Sequence, residues 1–304
     1  MAPMTSPPAS RIDCFNQGLP VLGVDTTTYK SVKPSSESTS KAKPPLILRH
    51  VPSKHFWDLA DNTLRTPTFT NHRQSNSPIA TTFSKLPLES ESDVVYASLL
   101  YAISPIMEIL QVLYPDQWTM YTELNDRGEI LENPGTNGTE AVVRYDLIFK
   151  TTAGHLNPGK TIAMIEYKRR GLIRYDDFME VIVSDDALPA EINKVKIDSQ
   201  NRSRSLKTNG MSYSKQVCRY AQISKCKHVA LFNWQHLVLF DFHRLNSGTD
   251  KGNRNKGESF TAGDEANVTW VYERGAREGV MEPGSIRKAL LGWLLKAFAD
   301  FESQ

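Results

Sequence analysis

Apolar positions along this chain follow two periods. From Val142 to Lys150 it reads V-V-R-Y-D-L-I-F-K, and from Thr161 to Lys168 it reads T-I-A-M-I-E-Y-K. Both runs are short, rich in β-branched and aromatic residues and bounded by Gly, Pro or Asn, which is the pattern of strands. In the second run Ile162, Met164, Glu166 and Lys168 share one face, while Ala163, Ile165 and Tyr167 share the other. Both faces begin apolar, so a central strand is expected, with Glu166 and Lys168 leaving the core side by side at its C-terminal end. Trp118–Glu123 reads as an earlier strand with Asn125-Asp-Arg-Gly as its turn. His228–Phe242 reads as a hairpin turning near Asn233 to His236, and Val268–Tyr272 as an edge strand.

The helical period appears elsewhere. From Glu89 to Tyr114, Val94, Val95, Leu99, Leu100, Ile103, Ile106, Ile109 and Leu110 make an apolar face. Ser90 suits the cap, Glu91 and Asp93 suit the positive first turn, and Pro105 predicts a kink or a split. A helix capped by Ser212 or Ser214 places Gln216 and Tyr220 four apart on one face. Short helices are expected over 174–184 and 189–196, and an amphipathic helix over Gly284–Phe301. The Pro/Ser/Thr/Lys-rich residues 1–45 read as a disordered tail. Residues 46–84 read as an arm or linker, with a short strand at Leu46-Ile-Leu and a helix at His55-Phe-Trp-Asp-Leu-Ala. Residues 85–304 are expected to form the folded domain, of mixed α/β class. Loops are expected over 132–139, 153–159, 198–210 and 246–266.

The charged residues inside the strands carry the chemistry. If the strands of Asp146 and Glu166 pair, the two carboxylates lie side by side. At about 4 Å they repel by roughly 4 kcal/mol at an effective dielectric near 20, so both stay ionised only with a cation between them. Mg²⁺ takes hard oxygen ligands of this kind. A lysine two residues on, on the same face, can orient or deprotonate an attacking water or stabilise phosphoryl charge. The alternative is a solvated hairpin edge in which Lys168 merely neutralises the pair.

Asp146, nineteen residues and then Glu166-Tyr167-Lys168 resemble the D…(D/E)-x-K signature of the PD-(D/E)XK, restriction-endonuclease-like superfamily. Arg144-Tyr145 precede Asp146, so the proline of the name is absent. Gln216-Val-Cys-Arg-Tyr220 resembles the Q-x-x-x-Y helix of RecB-like members, and Glu91 or Glu89 stands where such members carry a glutamate on the first helix. The ordered set spans roughly residues 85 to 245. The resemblance implies a restriction-endonuclease-like core and a nuclease site. Asp146, Glu166 and the Tyr167 carbonyl would bind Mg²⁺ or Mn²⁺, and Lys168, Gln216 and Glu91 would assist. Members with decayed sites exist, so a non-catalytic module for nucleic acid or protein stays open as the second reading.

Charge distribution sharpens the picture. The chain carries +2 overall, yet Lys160–Lys227 holds fourteen Lys or Arg against eight Asp or Glu, a local +6. Arg169, Arg170, Arg202, Arg204, Lys207 and Lys215 lie in this stretch and are candidate contacts for nucleic-acid phosphates, DNA ahead of RNA. Three cysteines without metal-ligand spacing point to a reduced, intracellular setting, nuclear or cytoplasmic. No continuous apolar run approaches a membrane span, so no membrane partner is expected. No P-loop, G-x-G-x-x-G or G-x-S-x-G supports another enzyme class. Oligomeric state is left open. Convergence of Asp146, Glu166 and Lys168 with room for a cation favours the enzyme. A Lys168 that neutralises Glu166 within a closed wall favours the module.

Overall fold

The computed structural model describes residues 13–20, 22, 43–70, 88–128, 141–197, 205–243, 265–272 and 285–303. Eight strands form one mixed sheet: β1 (Ile47–His50), β2 (Trp118–Gly128), β3 (Ala141–Thr151), β4 (Thr161–Tyr167), β5 (Ile182–Val183), β6 (His228–Phe232), β7 (His236–Asp241) and β8 (Glu265–Tyr272). Their order is β2-β3-β4-β6-β7-β8-β1-β5. β4 pairs with β6 in parallel, as β1 does with β8 and β5, and the other neighbours are antiparallel. The longer helices are α1 (Lys54–Leu64), α2 (Glu91–Ser98), α3 (Ser104–Leu113), α4 (Leu188–Ile197), α5 (Thr208–Ser224) and α6 (Ser285–Glu302).

Strand alternation divides the interior into two layers. Ala163, Ile165, Ala230, Phe232, Leu237 and Leu239 face a core shared with α1, α2, α3 and α6. Met164, Val229, Leu231, Val238 and Phe240 face a second core under α5 and Ile173–Val181. Strands covered on both faces need apolar residues at every position. β6 accordingly reads H-V-A-L-F with all five residues buried.

The helical run Glu91–Leu113 shows how the sequence sets local geometry. Ser90 accepts the Asp93 amide and Asp93 caps the Ser90 amide in return, a capping box. At Leu99–Ile103 the helix widens into a π-turn, which divides the run into Glu91–Ser98 and Ser104–Leu113. Pro105 has no N–H for the carbonyl four residues back, which is that of Tyr101. The buried Arg287 guanidinium on α6 donates to that carbonyl instead. By length and composition this run could cross a membrane. In the fold, Val94, Ala97, Ile103, Ile106 and Leu110 are buried in the first core.

Several elements differ from the sequence expectation. Within the expected tail, Cys14, Phe15, Leu19 and Leu22 are buried in the first core. Arg287 holds the carbonyls of Cys14, Gln17 and Gly18, and Trp234 donates to Pro20. The short strand and helix expected in the arm are present as β1 and α1, but they are integral to the domain: β1 lies between β8 and β5, and α1 packs on α6. β8 is therefore an interior strand rather than an edge. β2 continues through the expected turn, with Asn125 opposite Arg144 and Gly128 opposite Ala141. The helix expected over 174–184 is a single 3-10 turn (Tyr175–Asp177) followed by β5. α5 begins at Thr208, a turn before the expected serine caps. The expected loop at 132–139 and most of those at 198–210 and 246–266 lie outside the described residues; residues 265 and 266 of the last open β8 instead. The central strand β4, the β6–β7 hairpin and the C-terminal helix are as read.

α6 meets α1 through Gly292, where a Cβ would sit 2.0 Å from the Phe56 carbonyl oxygen. That atom belongs to helix backbone and cannot yield without moving α1. Gly292→Ala is expected to lower unfolding free energy by about 3 kcal/mol in urea titration. Gly154→Ala, with nothing within 4 Å of its Cβ, serves as the near-neutral control. Stability should also respond to His236. Burial lowers its pKa to about 4, and its Nδ1 accepts the Trp270 indole N–H at 3.2 Å. The unfolded chain takes up this proton near pH 6.5, while the folded chain resists until about 4. The stabilisation is therefore complete above pH 6.5 and lost as pH falls toward 4, by about 3 kcal/mol. Unfolding titrations of the wild type and His236→Gln across that window should show the acid-sensitive component only in the wild type.

Candidate active site

The site begins where two strands part. β3 and β4 pair as far as Leu147 opposite Ile165. Beyond that point the Tyr167 amide donates to Asp146 Oδ2 at 2.7 Å, so a side-chain carboxylate replaces a strand carbonyl. β4 stays with β6: Glu166 lies opposite Leu231, Tyr167 opposite Phe232, and the Lys168 amide donates to the Phe232 carbonyl at 2.9 Å. Asp146 and Glu166 thus stand at a fork between strands.

Strand parity sends Glu166 and Lys168 toward α5 and Tyr167 the other way. Glu166 and Lys168 are buried, at 4% and 7% exposure, and ion-paired through Glu166 Oε1 and Lys168 Nζ. The same Oε1 accepts from Gln216 Nε2 at 2.6 Å, and that amide nitrogen also donates to the Tyr220 hydroxyl at 2.6 Å. The helical i,i+4 spacing therefore places Gln216 on the carboxylate with Tyr220 behind it. On the opposite face the Tyr167 hydroxyl meets Ser98 of α2 at 2.8 Å. Ser98 lies two turns along α2 from Glu91, and this contact ties the helix that carries Glu91 to β4. Glu91 Oε2 lies 3.8 Å from Lys168 Nζ, and its side chain is 47% exposed.

Three carboxylates therefore surround one ammonium. Burial drives the Glu166 carboxyl up to about 8, with the Asp146 charge adding to the rise and Lys168 opposing it. Burial alone would depress Lys168, but Glu166, Glu91 and Asp146 outweigh it and raise its pKa, so the ammonium persists. Partial desolvation raises Glu91, helped by Asp146 and opposed by Lys168 and Arg144. Among the described residues no group of three or more His, Cys, Asp or Glu side chains is disposed to hold a metal ion. The donors at the fork are hard oxygens from two carboxylates, and Glu166 Oε2 is buried with no hydrogen-bond partner. A carboxyl oxygen left unpaired in the interior is costly. A cation bound by Glu166 together with Asp146 would satisfy it, so these residues fit a small divalent ion.

The remaining candidates are spread more widely. Glu89 is exposed, and its amide is taken by Asp93, so of the two glutamates Glu91 is the one at the site. Arg170 is buried and donates to the Leu22 carbonyl at 2.8 Å, holding the N-terminal segment instead of facing phosphate. Arg169 and Lys215 are half-buried, Lys207 is exposed at the start of α5, and Arg202 and Arg204 lie outside the described residues. Tyr213, whose ring centroid is 5.6 Å from Lys168 Nζ, was not singled out from sequence. Its position one helical turn before Gln216 is the signal that could have found it. Comparison of the chain with known proteins finds no matching family model and no matching curated relative.

Removing the ammonium should expose the cost of the buried pair. Lys168→Met leaves Glu166 without its cation and is expected to cost about 3–5 kcal/mol of stability, measured by urea unfolding above pH 8. Adding Glu166→Gln should recover most of that loss. A double variant no more stable than Lys168→Met would contradict the coupling.

Proposed function

We propose that the chain is a metal-dependent nuclease that hydrolyses phosphodiester bonds of nucleic acid at the β3–β4 fork. The observation that carries this reading is the meeting of Asp146, Glu166 and Lys168 at one strand end, with Glu166 Oε2 buried and unpartnered. The element order adds support. A helix bearing Glu91, the Asp146 strand, the Glu166/Lys168 strand, the Gln216/Tyr220 helix and a strand pair follow one another as the D…E-x-K…Q-x-x-x-Y resemblance requires.

Asp146 and Glu166, with the Tyr167 carbonyl, are the groups that would hold Mg²⁺ or Mn²⁺. When bound, the ion supplies Lewis-acid stabilisation of phosphoryl charge and makes water a better nucleophile. Lys168 remains protonated among the carboxylates, so its role is electrostatic: its charge faces the negative charge that grows on the phosphate oxygens as the P–O bond to the leaving oxygen breaks. Gln216 fixes one oxygen of Glu166 and leaves the other for the ion. Glu91, at the solvent side, supplies a third carboxylate that can orient water.

One observation favours a second reading. Lys168 already neutralises Glu166 in a buried pair, as a non-catalytic binding module would retain it. Cleavage of labelled single- and double-stranded DNA and RNA with Mg²⁺ or Mn²⁺ separates the two. The nuclease predicts metal-dependent cutting that falls at least about 100-fold in Asp146→Ala and in Lys168→Ala. Salt-sensitive binding with no cutting by any form would establish the module instead.

A further inference from the structure

Opposite Asp146 on the outer strand stands Glu123. The β2–β3 register is intact on either side, with Thr122 opposite Leu147 and Leu124 opposite Tyr145. At Glu123 itself the backbone is left-handed, with φ 53°. This conformation costs a non-glycine residue about 1–2 kcal/mol. In a regular ladder Glu123 would face Asp146 with its Cβ about 5 Å away, two like charges side by side. In the strained conformation its Oε1 instead accepts from Arg144 Nη2 at 2.6 Å.

Arg144 sits two residues before Asp146 on β3. It is near enough to Glu91 to act electrostatically on that carboxyl. Its side chain is 61% exposed and that of Glu123 is 68% exposed. An ion pair so open to water is worth at most about 1 kcal/mol, so a competing anion displaces it at little cost. Of the cations at the end of β4, Lys168 is buried against Glu166, Arg170 is turned to Leu22 and Arg169 is half-buried. Among the described residues, Arg144 is an exposed guanidinium close to the carboxylates. Guanidinium is also the group best matched to a phosphodiester, because its planar fork binds two oxygens at once.

We propose that Arg144 is a substrate contact that binds a backbone phosphate at the open rim of the fork, and that Glu123 occupies it in the free protein as an intramolecular mimic of that phosphate. This inference rests on the nucleic-acid reading of the site and names a phosphate contact for it, together with the group that holds it in check.

The test is binding of labelled single- and double-stranded DNA by the full chain in EDTA at two salt concentrations, with cleavage in Mg²⁺ followed in parallel. Arg144→Ala should weaken binding about 3- to 10-fold and reduce the salt slope by about one phosphate contact. Glu123→Gln should tighten binding about 3-fold. Glu123→Gly, which accepts the left-handed backbone without strain, should do the same. The decisive form is the double variant. If Glu123 acts by occupying Arg144, Glu123→Gln has no effect once Arg144 is alanine. If it still tightens binding there, only general charge repulsion is removed and the proposal falls. It falls equally if Arg144→Ala binds as the wild type does, or if the wild type binds neither DNA form. DNA bound through Arg144 but not cut would overturn the nuclease reading and leave this one standing.

Discussion

The structure turns on one amide. Tyr167 N–H lies where the β3–β4 ladder would continue, and it is held by the Asp146 carboxylate rather than by a backbone carbonyl. That substitution lets the two strands separate without leaving a buried donor unpaired, which would cost about 1–3 kcal/mol. The opening between them admits two carboxylates and an ammonium to the end of an otherwise apolar sheet. Everything at the fork depends on strand parity from this point. Tyr167 points to one core, where Ser98 meets it. Glu166 and Lys168 point to the other, where Gln216 and Tyr220 wait.

The two cores then make the fork rigid. The Tyr167–Ser98 contact locates α2 and so Glu91, and the capping box of Ser90 and Asp93 fixes the helix end from which Glu91 extends. α5 is set against the other face, where Gly210 allows its first turn to press on the Asp177 carbonyl, 2.3 Å from where a Cβ would stand. The side chains that meet the Glu166–Lys168 pair are therefore delivered from opposite sides of the sheet, Gln216 to Glu166 from α5 and Glu91 to Lys168 from α2. Preorganisation of this kind keeps a charged cluster in place although its members repel one another.

Much of this was legible in the sequence, and the boundary is physical. Period-two alternation predicted that Glu166 and Lys168 share a face, and i,i+4 spacing predicted the same for Gln216 and Tyr220; the structure brings all four together. These are local rules acting within one element. What could not be read depends on partners far away in the chain. Arg170 follows two catalytic candidates in a basic run, yet it is drawn inward by a carbonyl 148 residues earlier. The Pro- and Ser-rich N-terminal region has the composition of a tail, but Phe15 and Leu22 find a core built from the opposite end of the chain. β1, only four residues long, gave no sign that it would lie inside the sheet. Glu123 takes its left-handed backbone at the point of the ladder opposite Asp146, and no residue preference announces it.

The single guanidinium of Arg287 joins the π-turn carbonyl of Tyr101 to carbonyls of the segment beginning at Cys14, 273 positions away. This joint sets an order of assembly. On a ribosome adding about 5–20 residues per second, the segment around Cys14 waits on the order of tens of seconds before α6 emerges to receive it. During that interval Phe15, Leu19 and Leu22 have no complete surface to cover, and the sheet face they later help to close is open. The nascent chain therefore carries exposed apolar surface until α6 arrives.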